Sequence, residues 1–163
     1  MIRPLAIAFA LTAALSAPAA QAADAKLAGV TVRQAWSRPA QAGMNGVGFM
    51  TLVNGGKTPV TLKGVESPAA GVVEIHQSSM AGGVMSMRRV DDGVVVPPGG
   101  EVAFAPGGLH LMLLNLKAAQ TVGQKVPMTL IFDNGRRAAV ALEVRLAPPQ
   151  AAQASSAAGH RHH

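Results

Sequence analysis

The 163-residue sequence contains no cysteine. Disulfides and thiolate metal sites are therefore excluded, and so is a lipid anchor attached to a cysteine. A blue-copper electron carrier is disfavoured for the same reason, because its redox site requires a cysteine thiolate. Any sulfur ligand in this protein has to come from its eight methionines.

Aromatic residues make up only 3% of the sequence, and the basic residues are scattered along it. Nucleic-acid binding is disfavoured in spite of a net charge of +6 and an isoelectric point of about 10.9, because basic stripes and stacking aromatics are missing. The charge instead favours docking onto acidic partners or an anionic membrane surface. No stable membrane insertion is expected.

Acidic residues number only eight and form no obvious pair, and no serine has a matched histidine and aspartate. General acid-base catalysis and Ser-His-Asp chemistry both need such sets of groups. The sequence therefore predicts a binding protein and not an enzyme.

Residues 1–22 have the pattern of a secretory signal peptide. Arg3 lies near the start, an apolar run follows over residues 5–15, and the segment ends in Ala20-Gln21-Ala22. The apolar run is too short to span a bilayer, so cleavage before Ala23 and export are predicted. In an oxidising exported compartment a methionine keeps its sulfur available, whereas two thiols tend to form a disulfide.

The rest of the chain consists of short apolar or alternating segments separated by turns rich in glycine, proline, asparagine and aspartate. The predicted strands are Val30–Trp36, Gly46–Val53, Val60–Val65, Gly71–His76, Val84–Val90, Val94–Val96, Glu101–Ala105, Leu109–Leu116, Lys125–Phe132 and Arg137–Leu146. This pattern predicts an all-β sandwich or barrel. One domain is expected over residues 23–147. Residues 148–163 are rich in alanine, glutamine and serine, which predicts a disordered tail.

Two histidines have methionines at spacings that suit a shared site. His110 and Met112 are separated by one residue, so on a strand their side chains project from the same face. Met87 lies on the strand that follows His76, and a loop over residues 77–83 is expected to connect the two. If these segments lie side by side, the four side chains can converge on one metal ion.

A set of two imidazoles and two thioethers is typical of a Cu(I) site. Zn(II) prefers thiolate, imidazole or carboxylate and gains little from a thioether, so zinc is the weaker candidate. The set carries no charge and lacks thiolates, which suits a site that must also release its ion.

Most of these side chains have an alternative role in packing. For Met44, Met50 and Met128, each inside or beside an apolar run, core packing is the expectation. Met85 is also expected to pack, although its strand position places it on the same face as the candidate ligands. Met80, in a glycine-flanked loop, is either a substitute ligand or simply exposed. A lone histidine is more often part of a hydrogen-bonded scaffold, so the residues by themselves leave both roles open.

A longer motif extends over three segments of the chain. The segments are Glu74-Ile75-His76, Gly83–Arg88 and Pro106–Leu113. Together they resemble the signature of the periplasmic copper chaperone family called PCuAC: a histidine, ten residues, a methionine, about 21 residues, then His-x-Met. Ten residues separate His76 from Met87, and the middle gap is one residue longer than the signature. The similarity covers residues 29–146.

The resemblance implies a cupredoxin-like Greek-key β-barrel in the periplasm that binds one Cu(I) through His76, Met87, His110 and Met112. It also implies delivery toward the dinuclear copper centre of cytochrome c oxidase. The implied partners are the copper-receiving subunit of that oxidase and a thioredoxin-like copper-delivery protein. Two alternatives stay open: a periplasmic copper buffer for tolerance, and a structural β-domain without metal.

Transfer of copper by ligand exchange requires a shallow site with an apolar rim that keeps water and oxygen from the ion. The candidates for that rim are Leu109, Leu111, Val84 and Pro106.

The sequence ends in a histidine cluster. The imidazoles of His160, His162 and His163 suit weak binding of Cu(II) in a flexible segment. An auxiliary Cu(II) site in the tail is therefore one hypothesis, and a solvated tail without a role is the other.

Overall fold

The computed structural model describes the backbone of residues 25–27 and both the backbone and the side chains of residues 29–149. The predicted signal peptide, residues 1–22, and the histidine cluster of the predicted tail, residues 160–163, lie outside the described residues. The domain boundaries predicted from the sequence therefore stay predictions.

The described residues form eleven β-strands and no helix. The strands are β1 (Ala25–Leu27), β2 (Val30–Ser37), β3 (Gly46–Asn54), β4 (Val60–Glu66), β5 (Ala70–Ala81), β6 (Val84–Arg89), β7 (Val94–Val96), β8 (Glu101–Phe104), β9 (Leu109–Leu116), β10 (Lys125–Phe132) and β11 (Arg137–Val144). The all-β prediction is confirmed. This part of the chain has no helix that is long and apolar enough to cross a membrane.

Each of the ten predicted strands matches one of β2 to β11, with ends that agree or differ by at most five residues, and β1 is not predicted. The loop predicted over residues 77–83 is wrong, because β5 continues to Ala81 and only Gly82 and Gly83 connect it to β6. Gln77, Ser78 and Ser79 are polar, but each of them pairs with a residue of β6. Pairing with β6 keeps these residues in a strand although their intrinsic preference for strand is weak.

Hydrogen bonds connect the strands in the order β6-β5-β9-β8-β3-β2-β11-β10-β4-β7, with β1 beside β2 and an additional pairing of β9 with β3. Neighbouring strands are antiparallel except in the β11–β2 and β8–β9 pairs. β4 also packs against β5, so the sheet curls round on itself. This is the cupredoxin-like Greek-key barrel that the resemblance implies.

Every second residue of β10 and β11 is buried in the barrel, as expected for strands with one face in a core and the other in water. The fully buried side chains of this core include Leu52, Leu62, Leu111, Leu113, Leu130 and Leu142. Met50 and Met128 are buried in the same core, so their predicted packing role is confirmed.

Two other methionines predicted to pack are exposed. Met44 lies in the turn before β3, and Met85 lies in β6. β6 is at the end of the strand order and all six of its residues are exposed. The packing prediction is wrong for both methionines because apolar neighbours in sequence do not by themselves bring another element over a side chain.

Candidate metal centre

The strands β6, β5 and β9 lie side by side, with β5 in the middle. His76 lies directly opposite His110 on one side and Arg89 on the other. Residues directly opposite each other in a sheet share a face, and the two imidazole ring centres are 5.8 Å apart at an angle of 62°. His110 is 5% exposed and the His76 side chain is 16% exposed. The two histidines are therefore adjacent and largely shielded from water.

The two predicted methionine ligands flank His76 on the same face. Met112 lies opposite Glu74, two residues before His76, and Met87 lies opposite Ser78, two residues after it. Each methionine is thus a diagonal neighbour of His76, about 7–8 Å away between Cα atoms and within reach of a long side chain. The structure brings all four predicted side chains to one face of three adjacent strands. Their role as metal ligands stays a prediction.

Met87 and Met112 are not neighbours of each other. They are separated by two strand spacings and by four residues along β5, which corresponds to about 17 Å between Cα atoms in a flat sheet. His76 lies between them and is adjacent to each of the other three candidate ligands. The candidate site is therefore centred on His76.

A chain of charged groups holds the His76 ring in place. Glu74 accepts a hydrogen bond from His76 Nε2 at 2.8 Å and another from Arg89 Nη1 at 2.9 Å, and Arg89 Nε lies 2.6 Å from an Asp91 carboxylate oxygen. Because an ionised carboxylate only accepts hydrogen bonds, Nε2 carries the proton and Nδ1 keeps its lone pair. This Nδ1 is buried and has no hydrogen-bond partner among the described residues. It is the donor atom that a bound metal would use.

Glu74 is a site residue that the sequence predictions missed. The hydrogen bond from His76 lowers the pKa of Glu74; burial opposes this effect, and the charges of Arg89 and His76 add to it. The carboxylate therefore stays ionised at neutral pH and keeps the imidazole in one tautomer. The signal was present in the sequence, because a residue two positions before His76 on a strand shares its face.

His110 is oriented by the backbone. Its Nδ1 lies 3.1 Å from the Gly108 carbonyl oxygen, which also accepts a hydrogen bond from the Ser78 amide at 3.1 Å. A carbonyl oxygen only accepts, so Nδ1 carries the proton and the lone pair is on Nε2. Metal-binding histidines commonly have one ring nitrogen held by an acceptor in this way. Each histidine therefore has one ring nitrogen held by a protein acceptor and a lone pair on the other.

A group of apolar and aromatic side chains on the same face is also absent from the sequence predictions. Val47 lies opposite Met112, and Phe49, two residues further along β3, faces the same way. Trp36 pairs with Phe49, with ring centres 4.7 Å apart. The guanidinium of Arg38 covers both rings, at 5.8 Å from the Trp36 centre and 5.7 Å from the Phe49 centre.

A β-bulge in β2 turns Trp36 to this face. Gln34 has a φ of 51°, and the register between β2 and β3 shifts by one residue between Arg33 and Trp36. Since side chains alternate along a strand, one extra residue reverses the face on which the following residues lie. Val32 therefore belongs to the barrel core, whereas Trp36 is buried outside that core.

The predicted apolar rim is wrong for Leu111 and Leu109. Leu111 is fully buried in the barrel core and Leu109 packs against that core, because both alternate along β9 with the two candidate ligands of that strand. Val84 and Pro106 are exposed. Val47 and Phe49 of β3 are instead apolar neighbours on the ligand face.

Met80 and Met85, the remaining candidates, lie opposite each other near the end of the β5–β6 hairpin. Both face the same way as Met87 and both are exposed. The predicted loop position of Met80 is wrong, because β5 runs through it. Among residues 29–149 no three histidine or acidic side chains come together as a group that could hold a metal. The tail candidates His160, His162 and His163 lie outside the described residues.

Comparison with known proteins gives a family. The family model described as "Putative lipoprotein LpqE-like" matches residues 30–144. The protein "Putative lipoprotein Lxx21020" of Leifsonia xyli subsp. xyli (strain CTCB07) is 35% identical over 117 residues, which are 72% of this chain and 70% of that protein. The description as a lipoprotein applies to those proteins. The present sequence has no cysteine that a lipid would modify.

Solved structures share the barrel. The copper-bound PCuAC domain from PmoF2 has a TM-score of 0.60 and 25% identity, covering 74% of this chain and 95% of that domain. The Cu(I) form of DR1885 from Deinococcus radiodurans has a TM-score of 0.57 and 28% identity, covering 77% of this chain and 81% of that one. The chain therefore belongs to the LpqE-like family, and its barrel is that of the PCuAC domains, as the resemblance of its motif implies.

Proposed function

We propose that this protein is a periplasmic copper chaperone that binds one Cu(I) through His76, Met87, His110 and Met112. The observation that carries the proposal is the histidine pair, in which each ring has one nitrogen held by a protein acceptor and a lone pair on the other. Thioethers on the same face add soft donors, and soft donors together with imidazole select Cu(I). The copper-bound states of the PmoF2 domain and of DR1885 support this choice of metal.

Binding is proposed to occur in two stages. His76 and His110 are already oriented, whereas Met87 lies on an edge strand that is paired on one side only and is half exposed. A bend of the β5–β6 hairpin toward β9 shortens the distance between Met87 and the histidine pair, and Met87 then completes the site. The same motion in reverse opens a coordination position for a ligand from the recipient. The four side chains are neutral, so Cu(I) keeps its single positive charge throughout.

The proposed destination is the dinuclear copper centre of cytochrome c oxidase, reached through its copper-receiving subunit and a thioredoxin-like copper-delivery protein. This part of the proposal is supported by the resemblance to PCuAC proteins. Export to the periplasm is supported by the signal-peptide pattern of residues 1–22. No catalytic step is proposed. An auxiliary Cu(II) site at His160, His162 and His163 remains a separate proposal.

The decisive experiment is a titration of the purified chain with Cu(I) in competition with a chromogenic chelator, followed by incubation with the copper-free receiving fragment of the oxidase. Uptake of Cu(I) at the histidine site and metallation of the fragment are the expected results. Uptake without transfer would favour the copper buffer, and no uptake at all would leave a structural β-domain.

Replacement of Met112 with leucine is expected to remove one sulfur neighbour from Cu(I) and to preserve the fold. Leucine has nearly the volume of methionine, so packing changes little, but it has no thioether. X-ray absorption of the Cu(I) form counts the sulfur and nitrogen neighbours. The matched control is Met44→Leu, which changes an exposed methionine away from the site. An unchanged sulfur count in Met112→Leu would remove this residue from the ligand set.

The Glu74→Gln variant is expected to bind Cu(I) roughly 10- to 100-fold more weakly than the wild type. The neutral amide can donate as well as accept, so it no longer keeps the proton on His76 Nε2. Competition titration measures the affinity. Glu66→Gln is the matched control, because Glu66, on β4, also pairs with an arginine, Arg137, whereas the carboxylate that His76 contacts is that of Glu74. Equal affinities of the two variants would contradict the orienting role of Glu74.

A further inference from the structure

The β5–β6 hairpin ends in a tight turn that aligns two methionines. Gly82 and Gly83 have φ values of 59° and 78°, and positive φ at both central residues is typical of the two-residue type I′ turn, whose twist matches that of paired strands. Such a turn fixes the register of the hairpin. Met80 therefore lies directly opposite Met85 on one face.

Met87 belongs to the same face and lies one step closer to the histidines. It is two residues from Met85 along β6 and diagonal to Met80 across the hairpin. Diagonal positions are about 7–8 Å apart between Cα atoms, which long side chains can bridge. The three thioethers can therefore reach a common point above the hairpin.

The end of the hairpin offers soft donors and no competing charge. Residues 77–87 contain no aspartate, glutamate, lysine, arginine or histidine. On the opposite face the hydroxyls of Ser79 and Ser86 hydrogen-bond to each other at 2.9 Å across the two strands. Thioether sulfur is thus the strongest metal donor on the methionine face, and it prefers Cu(I) to hard cations.

The exposed fraction of the side chains on this face falls from the turn toward the histidine pair. Met80 and Met85 are 69% and 62% exposed and Met87 is 49% exposed. The next groups on this face are the largely shielded His76 and His110. Three exposed methionines on one edge hairpin of a protein are unusual for a surface without a binding role, and their order follows the direction in which an ion would enter.

We propose that Met80, Met85 and Met87 form a second Cu(I) site, an all-thioether entry site that loads the histidine site. The proposal rests on the proposed function, because Met87 is a ligand of both sites. During transfer the bond between Met87 sulfur and copper is kept. The bonds to the Met80 and Met85 sulfurs break while bonds to the His76 and His110 nitrogens and to the Met112 sulfur form. Copper stays cuprous throughout, so no electron donor or acceptor is needed.

The test is a titration of the full chain with Cu(I), or with redox-inert Ag(I), followed by NMR of ¹³C-labelled methionine methyl groups. The first equivalent is expected to shift the methyl resonances of Met87 and Met112. A second equivalent, which Met80 and Met85 hold as a directly opposed pair while Met87 stays on the first ion, is expected to shift the methyl resonances of these two residues. In the double variant Met80→Leu/Met85→Leu the second step is lost and the first is kept. Met80 and Met85 are both exposed, so the double variant is expected to keep the fold.

Met44→Leu is the control, because Met44 is 62% exposed, as is Met85, but lies in the turn before β3. It is expected to keep both steps. A wild type that takes up one equivalent and never shifts Met80 or Met85 overturns the entry site and leaves the proposed function intact. A wild type in which the first equivalent leaves Met112 unshifted overturns the proposed function itself. Loss of the second step in Met44→Leu as well would show adventitious binding to exposed methionines and overturn the entry site.

Discussion

The His110→Phe variant is expected to bind Cu(I) at least about a hundredfold more weakly than the wild type, which corresponds to about 3 kcal/mol of binding free energy. Phenylalanine keeps the ring but offers no nitrogen lone pair to a metal. The Gly108 carbonyl that His110 contacts still accepts a hydrogen bond from the Ser78 amide. No buried polar group is therefore left without a partner, and the fold is expected to survive. Competition against a chelator measures the affinity.

Trp36 provides a second readout of the same experiment. It is the one tryptophan of the sequence, and it is buried beside Phe49 on the face that carries the histidines. Copper binding is expected to quench its fluorescence in the wild type and not in His110→Phe. A folded His110→Phe protein that retains wild-type affinity would contradict ligation by this histidine.

The Leu111→Ala variant is expected to lose about 2–5 kcal/mol of unfolding free energy. Leu111 is fully buried and lies opposite Ile75 on one side and Gly48 on the other. A Cβ atom built on Gly48 would lie 3.4 Å from Leu111 Cβ, so the surrounding backbone is packed closely around this side chain. The void left by alanine cannot be filled by a small local adjustment. Urea unfolding measures the loss.

Leu146→Ala is the matched control for the stability measurement. It deletes the same atoms from an exposed leucine that follows β11, and it is expected to change stability by less than about 0.5 kcal/mol. Similar losses in the two variants would contradict the position of Leu111 in the barrel core.

The two β9 variants change adjacent residues, and each tests one property: Cu(I) affinity for His110 and unfolding free energy for Leu111. His110 faces the candidate metal site and Leu111 faces the barrel core, because side chains alternate along a strand. His110→Phe should lower affinity and spare stability. The folded Leu111→Ala protein should keep the wild-type affinity for Cu(I) and lose stability. This separation depends only on strand alternation and on which face of β9 is covered by the barrel.

The strands were largely predictable because their apolar residues alternate and their ends are marked by glycine, proline or asparagine. β10 matches the predicted bounds and alternates in this way before the turn at Asp133-Asn134-Gly135, whereas β9, which also matches, is almost continuously apolar. The second half of β5 was not predictable in this way. Its residues Gln77, Ser78 and Ser79 have no apolar alternation, and their strand conformation depends on hydrogen bonds to β6.

Burial of individual methionines was only partly predictable. Met50 and Met85 both lie in strands, yet the first is buried and the second is exposed. The difference comes from the position of the strand in the sheet: β3 is paired with strands on both sides, whereas β6 is an edge. Nothing in the residues next to Met85 reveals that no element of the described part of the chain covers β6.

The aromatic side chains on the same face as the histidines could not be placed from the sequence. Trp36 reaches the ligand face because of a bulge at Gln34, and nothing in the neighbouring sequence marks that bulge. The bulge reverses the alternation of β2, so a periodic pattern read from Val30 onward places Trp36 on the wrong face.

The sequence by itself determined the donor chemistry and the local spacing of the candidate site. With no cysteine, the soft donors have to be methionines, and the one-residue gap between His110 and Met112 places both on one face of any strand they occupy. Only the tertiary structure decided that β5 lies between β6 and β9, that His76 faces His110, and which nitrogen of each ring keeps its lone pair. The physical reason is that a Greek-key barrel pairs strands distant in sequence, so contacts between strands depend on the closure of the whole sheet.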